Sequence, residues 1–174
     1  MSQSPSHALQ RTRPVAGVSN SRVLRAGSLS LGRRPHRVMN LERFTFRDIY
    51  LEADGERFDL HNCFDFAGFA YDVSGRVLSL RWIPNEYAPK DEHRRIVVEF
   101  HGLAHLSIEP RNPDVPFTED DCLSFIAYAS PSSPVDALPA WDESRTDMHL
   151  IFCFMSGLRL RVCADHAHVT FNVA

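Results

Sequence analysis

The stretch Ile49-Tyr50-Leu51-Glu52-Ala53-Asp54-Gly55-Glu56-Arg57-Phe58-Asp59-Leu60 decides the fold class of this chain. Asp-Gly between alternating apolar residues is the strongest short-range signal for a two-residue hairpin, because that turn needs positive φ at both central positions. With Asp54 and Gly55 as the loop, paired residue numbers sum to 109. Leu51 then faces Phe58, and Ile49 faces Leu60, on an apolar side. Glu52 with Arg57, Tyr50 with Asp59, and Asp48 with His61 form the opposite, polar side with favourable cross-strand charges. Turn chemistry and burial pattern agree, so the register is specified.

Two further turns extend the pattern. About Ser74-Gly75 the sum of 149 pairs Tyr71 with Leu78, Phe69 with Leu80 and Ala67 with Trp82. About Ser156-Gly157 the sum of 313 places Ile151, Cys153, Met155, Leu158, Leu160 and Val162 on one face. Phe152 and Phe154 then lie on the other, covered by Arg161 and Arg159. Between the hairpins, Arg94 to Glu109 reads as strand with a phase slip at Gly102, where a bulge or tight turn is expected. Thr118 and Asp121 have the spacing of a capping-box variant, so one short helical turn precedes a strand from Leu123 to Tyr128. Residues 130–147 carry three prolines and Trp141 and read as a long loop, and a last strand runs from His168 to Val173. About eight or nine short strands with at most one short helix predict a mainly β fold. The expected architecture is an antiparallel β-sandwich or open β-barrel built of hairpins.

Charge divides the chain at Met39. Residues 1–38 hold seven arginines and no Asp or Glu, so the remainder carries 19 − 7 = 12 basic residues against all 22 acids, a formal charge of 12 − 22 = −10. The basic segment has too few large apolar residues to offset its ordering entropy, and disorder is expected there. Among the 19 basic residues only Lys90 is a lysine, the mark of a GC-rich coding sequence. That favours upstream sequence read from too early a start, with Met39 the natural one, over a mitochondrial transit peptide or a basic arm. Residues 39–174 form one acidic domain of ordinary size. Cys63, Cys122, Cys153 and Cys163 show no CxxC pair and read as reduced thiols, which points to the cytoplasm, or to the mitochondrion if the leader is a transit peptide. No apolar run approaches the roughly 20 residues that span a bilayer, so no membrane partner is expected. A domain of charge −10 is poorly suited to a phosphate backbone, and nucleic acid is excluded as a partner.

Few residues suggest chemistry. His101 and His105 have the i, i+4 spacing of a helical zinc pair, but they fall on strand sequence without HExxH and read as ordinary strand histidines. His166 and His168 share a strand face and could ligate a metal, with a third ligand borrowed from elsewhere; the turn expected at Asp165-His166 is the simpler account, and no metal or cofactor is expected. Asp48 opposite His61 has the form of a carboxylate-oriented base, yet no nucleophile is tied to it. No phosphate loop or GxSxG elbow occurs. The acids Asp114, Glu119, Asp120 and Asp121 suit a basic partner, with Trp141 as the aromatic anchor.

The segment from Phe58 to Tyr128, with Arg81-Trp82-Ile83, Val98-Glu-Phe-His-Gly-Leu103 and the later Met155-Ser-Gly-Leu-Arg-Leu-Arg-Val162, resembles small β-rich proteins of bacterial genomes. Some of these resemble immunity proteins of polymorphic-toxin systems. The resemblance implies an acidic module that neutralises a partner by occlusion, and the acidic surface then points to a non-enzymatic binding protein with a basic partner. Two alternatives stand beside it: a small metal-dependent enzyme using His166 and His168, and a structural homodimer subunit with an exposed apolar sheet face.

Overall fold

The structure, a computed structural model, describes residues 39–132 and 148–173. The basic leader 1–38 and the segment holding Trp141 lie outside the described residues. Within them the fold is mainly β, with twelve strands: β1 Asn40–Glu42, β2 Phe44–Arg47, β3 Tyr50–Ala53, β4 Glu56–Asp59, β5 Phe64–Asp72, β6 Val77–Pro84, β7 Arg94–His101, β8 His105–Glu109, β9 Leu123–Ala129, β10 His149–Phe154, β11 Arg159–Cys163 and β12 His166–Val173. The count exceeds the eight or nine expected partly because the chain breaks at positive φ on Arg43 and Asp48, dividing the N-terminal strands.

The strands form a five-stranded sheet ordered β1-β12-β7-β6-β5, a four-stranded sheet β8-β11-β10-β9, and a three-stranded sheet β2-β3-β4. Every neighbouring pair is antiparallel except β1 with β12. No sheet closes on itself among the described residues, which makes this an open, sandwich-like arrangement. Leu78, Leu80, Trp82, Ile96, Val98 and Phe100 line the inner face of the large sheet. Across the core, Phe152 of β10 lies 6.1 Å from both Trp82 and Phe100, while Phe66 and Phe154 approach to 4.5 Å. The three-stranded sheet joins through Phe46, 5.3 Å from Phe152, and through a bridge between Asp48 and Ile126.

The first hairpin has the expected register, with Leu51 opposite Phe58 and Glu52 opposite Arg57. Asp54 and Gly55 both take positive φ, at 50° and 85°. In the second hairpin Tyr71 meets Leu78 and Phe69 meets Leu80 as expected. A bulge between Phe66 and Gly68 then shifts the register, so Phe66, not Ala67, pairs with Trp82. The extra residue brings the larger ring onto the core face, 5.2 Å from the indole.

The third hairpin corrects the sequence reading. Leu150 pairs with Val162 and Phe152 with Leu160, a sum of 312 in place of 313. The loop holds three residues, Met155 to Gly157: Phe154 N–H donates to Leu158 O at 2.9 Å, Gly157 N–H donates to Phe154 O at 2.9 Å, and Gly157 has φ 84°. A turn followed by a left-handed glycine is the usual three-residue connection. A slip of one residue exchanges the two faces of a strand. Phe152 and Phe154 therefore lie in the core, and the arginine-covered rings expected there do not form.

Gly102 marks a corner where the chain leaves the large sheet after β7 and enters the four-stranded sheet as β8. The helical turn before β9 is a 3-10 turn at Phe117–Glu119. Pro116 is its N-cap and no side chain caps it, so the Thr118–Asp121 capping box is not formed. His166, expected in a turn, begins β12.

Candidate functional site

Asp114, Glu119, Asp120 and Asp121 lie on the segment that wraps the third hairpin loop. Asn112 N–H donates to Ser156 O at 2.7 Å, Ser156 N–H to Glu119 O at 3.2 Å, and Met155 N–H to Cys122 O at 2.9 Å. These backbone bonds to the hairpin loop hold the acids in place. Asp120 is tied down by Arg111, whose Nε stands 2.8 Å from Oδ1. That hydrogen bond holds the Asp120 carboxyl below its ordinary range. Asp121 is displaced the other way, raised first by burial and then by the charge of Asp65, with Asp120 and Glu119 adding to it. Asp65 comes from β5, where Phe66 N–H donates to Asp121 O at 2.8 Å. This backbone contact between β5 and the loop before β9 adds a carboxylate to the cluster that sequence spacing does not reveal.

Phe117 is not among the residues singled out from the sequence. It is 78% exposed, and the Arg111 guanidinium lies 4.3 Å from its ring centre. Arg111 also donates to Val115 O. One cation therefore braces the loop, the ring and Asp120 together. The available signal was an aromatic residue after Pro116, outside any strand periodicity and among acids. Trp141 lies outside the described residues.

The outer face of the large sheet brings together His101, His166 and His168. In the β7–β12 register His168 sits opposite Glu99 and His166 opposite His101. His168 Nε2 is 3.1 Å and His101 Nε2 3.8 Å from Glu99 Oε2. Ser79 of β6 donates to the other carboxylate oxygen at 3.1 Å. The His166 ring stacks on His101 at 5.0 Å. His105, in contrast, leaves this face at the Gly102 corner and packs 4.7 Å from His149. Burial and the Arg161 charge lower the pKa of His105.

Asp48 and His61, a candidate carboxylate-oriented base read more simply as a surface ion pair, turn to different partners. Asp48 O accepts from Ile126 N–H, whereas the His61 ring turns to Leu123 O at 2.5 Å and lies 3.6 Å from Cys122 Sγ. A carbonyl oxygen only accepts, so Nδ1 carries a proton and cannot take one from the thiol. Burial, followed by the charges of Glu119, Asp121 and Asp65, raises the Cys122 pKa. The thiols of Cys63, Cys153 and Cys163 are raised as well, each chiefly by burial. Such thiols are poor nucleophiles at neutral pH.

Cys153 provides a direct check. Its pKa is pushed up to about 11. At pH 8 its thiolate fraction is roughly 100-fold below that of an ordinary cysteine, before burial restricts access. Brief maleimide labelling at pH 8 followed by peptide mass mapping is expected to leave Cys153 unmodified until the protein unfolds. Labelling as fast as at Cys63 would contradict its burial.

No family model, curated protein or solved structure matches the chain. No helix among the described residues is long and apolar enough to cross a membrane.

Proposed function

We propose that residues 39–174 form a non-enzymatic, immunity-like binding module that occludes a basic protein with the patch around Phe117. The observation that carries this reading is a largely exposed aromatic ring braced by Arg111 among Asp114, Glu119, Asp120 and Asp121. A braced ring supplies contact area at small entropic cost, which is how interface anchors act. The acids supply steering. Asp120, already paired with Arg111, serves to position the ring; long-range attraction falls to Asp114, Glu119 and Asp121. A cation approaching Asp121 favours the ionised carboxylate that burial and the neighbouring acids disfavour, so affinity should fall as pH drops through the elevated pKa of the free protein.

Affinity purification from the native host, with the Phe117→Ala chain as parallel bait, tests the proposal. A basic partner is expected on the parent chain and strongly depleted on the variant. In binding kinetics, Phe117→Ala should raise the dissociation rate about tenfold or more. Joint replacement of Asp114, Glu119 and Asp121 by their amides should slow association and flatten its salt dependence, since screening acts over about 8 Å at physiological ionic strength. A partner retained equally by all of these variants would place the interface elsewhere.

A further inference from the structure

We propose that Glu99, His101 and His168 form a binding site for one borderline divalent transition ion, with zinc the best-matched probe. The inference is independent of the patch around Phe117. It rests on three side chains whose ligand atoms, one from each, lie within 4.8 Å of one another on the outer face of the large sheet.

The geometry follows from the strands. Period-two alternation puts Glu99 and His101 on one face of β7 and His166 and His168 on one face of β12. Antiparallel pairing then sets His168 against Glu99 and brings Ser79 of β6 to the other side of Glu99. The Ser79 hydroxyl occupies Oε1 and leaves Oε2 between the imidazoles. A hydrogen bond that fixes a ligating carboxylate is the usual support for a metal ligand. His101 Nε2 is buried without a hydrogen-bond partner. A buried imidazole nitrogen left unbonded is costly, and a metal ion at Oε2 would satisfy it.

The donor set selects the ion. Two imidazoles and one carboxylate match zinc and its neighbours, whereas magnesium and calcium need more oxygen ligands. Metal–ligand bonds of about 2.0 to 2.2 Å in a tetrahedron bring donor atoms to roughly 3.4 Å from each other. Glu99 Oε2 and His168 Nε2 already stand at 3.1 Å. The remaining closure falls to side chains that are 30 to 34% exposed and able to turn. Three protein ligands on a sheet face leave a coordination position open to water. The sequence pair His166 and His168 is thus replaced by one of its members together with two residues of β7, while His166 stacks on His101 outside the trio.

Calorimetric titration of the full chain, purified without a polyhistidine tag and stripped with chelator, provides the test. Zinc is expected to bind with one high-affinity equivalent, at micromolar Kd or tighter, and magnesium and calcium not to bind in the millimolar range. His168→Ala and His101→Ala should each weaken zinc at least tenfold. Glu99→Gln keeps the size and the Ser79 contact, so it should fold normally and weaken zinc similarly. His105→Ala, at the far side of the Gly102 corner, should leave the affinity unchanged. Cobalt bound to the parent chain should show visible absorption that Glu99→Gln alters. Absence of zinc binding, or binding indifferent to the His101, His168 and Glu99 changes, would overturn the proposal.

Discussion

Replacing Phe152 with alanine is expected to lower the free energy of unfolding by about 3 to 5 kcal/mol, the range for a large aromatic side chain removed from a packed core. Phe152 is fully buried, with Phe46, Trp82 and Phe100 around it from the other two sheets. Its loss would open a cavity where all three sheets meet. Ile151, the adjacent residue, is only partly buried, and Ile151→Ala should cost distinctly less. Chemical denaturation of both variants decides the register of the third hairpin. The register with sum 313 requires the reverse order, because it turns Ile151 inward and Phe152 outward. A larger loss at Ile151 would therefore overturn the pairing of Phe152 with Leu160.

Gly102→Ala is expected to destabilise the protein by about 2 to 5 kcal/mol, from left-handed backbone strain of about 1 to 2 and overpacking of about 1 to 3. Gly102 has φ 65°, and a Cβ there would lie 2.4 Å from Asp165 Oδ2 and 2.8 Å from its Cγ. Asp165 has little room to retreat, because its backbone N–H donates to His101 O at 2.9 Å and its carbonyl accepts from Asn40 N–H at 3.2 Å. Gly55 provides the control, having φ 85° but nothing within 4 Å of an added methyl, so Gly55→Ala should show the backbone cost alone. Equal melting-temperature losses at the two glycines would remove the steric part of the argument. In a double-mutant cycle, Asp165→Ala should recover part of the Gly102→Ala loss, since it deletes the two nearest atoms.

The sequence by itself determined the fold class, the first hairpin and its register, and the inward faces of β6 and β7. In these segments turn chemistry and alternation point the same way, and both are local. At Ser156-Gly157 they do not. A glycine of positive φ fits both a two-residue and a three-residue loop, and both faces of His149–Phe154 are largely apolar, so alternation could not choose between Phe152 and Ile151. The bulge beside Gly68 was likewise decided by packing, as Phe66 fills space against Trp82 and Phe154 that Ala67 could not. The acids around Glu119 were visible as a run, but Asp65 joins them through a long-range backbone contact of β5 with the loop at Asp121, and Phe117 is distinguished by the Arg111 guanidinium against its ring. Period two placed His166 with His168, and it allowed Glu99 with His101. Which strands become neighbours depends on burying one common core, and that long-range pairing alone set Glu99 and His101 beside His168.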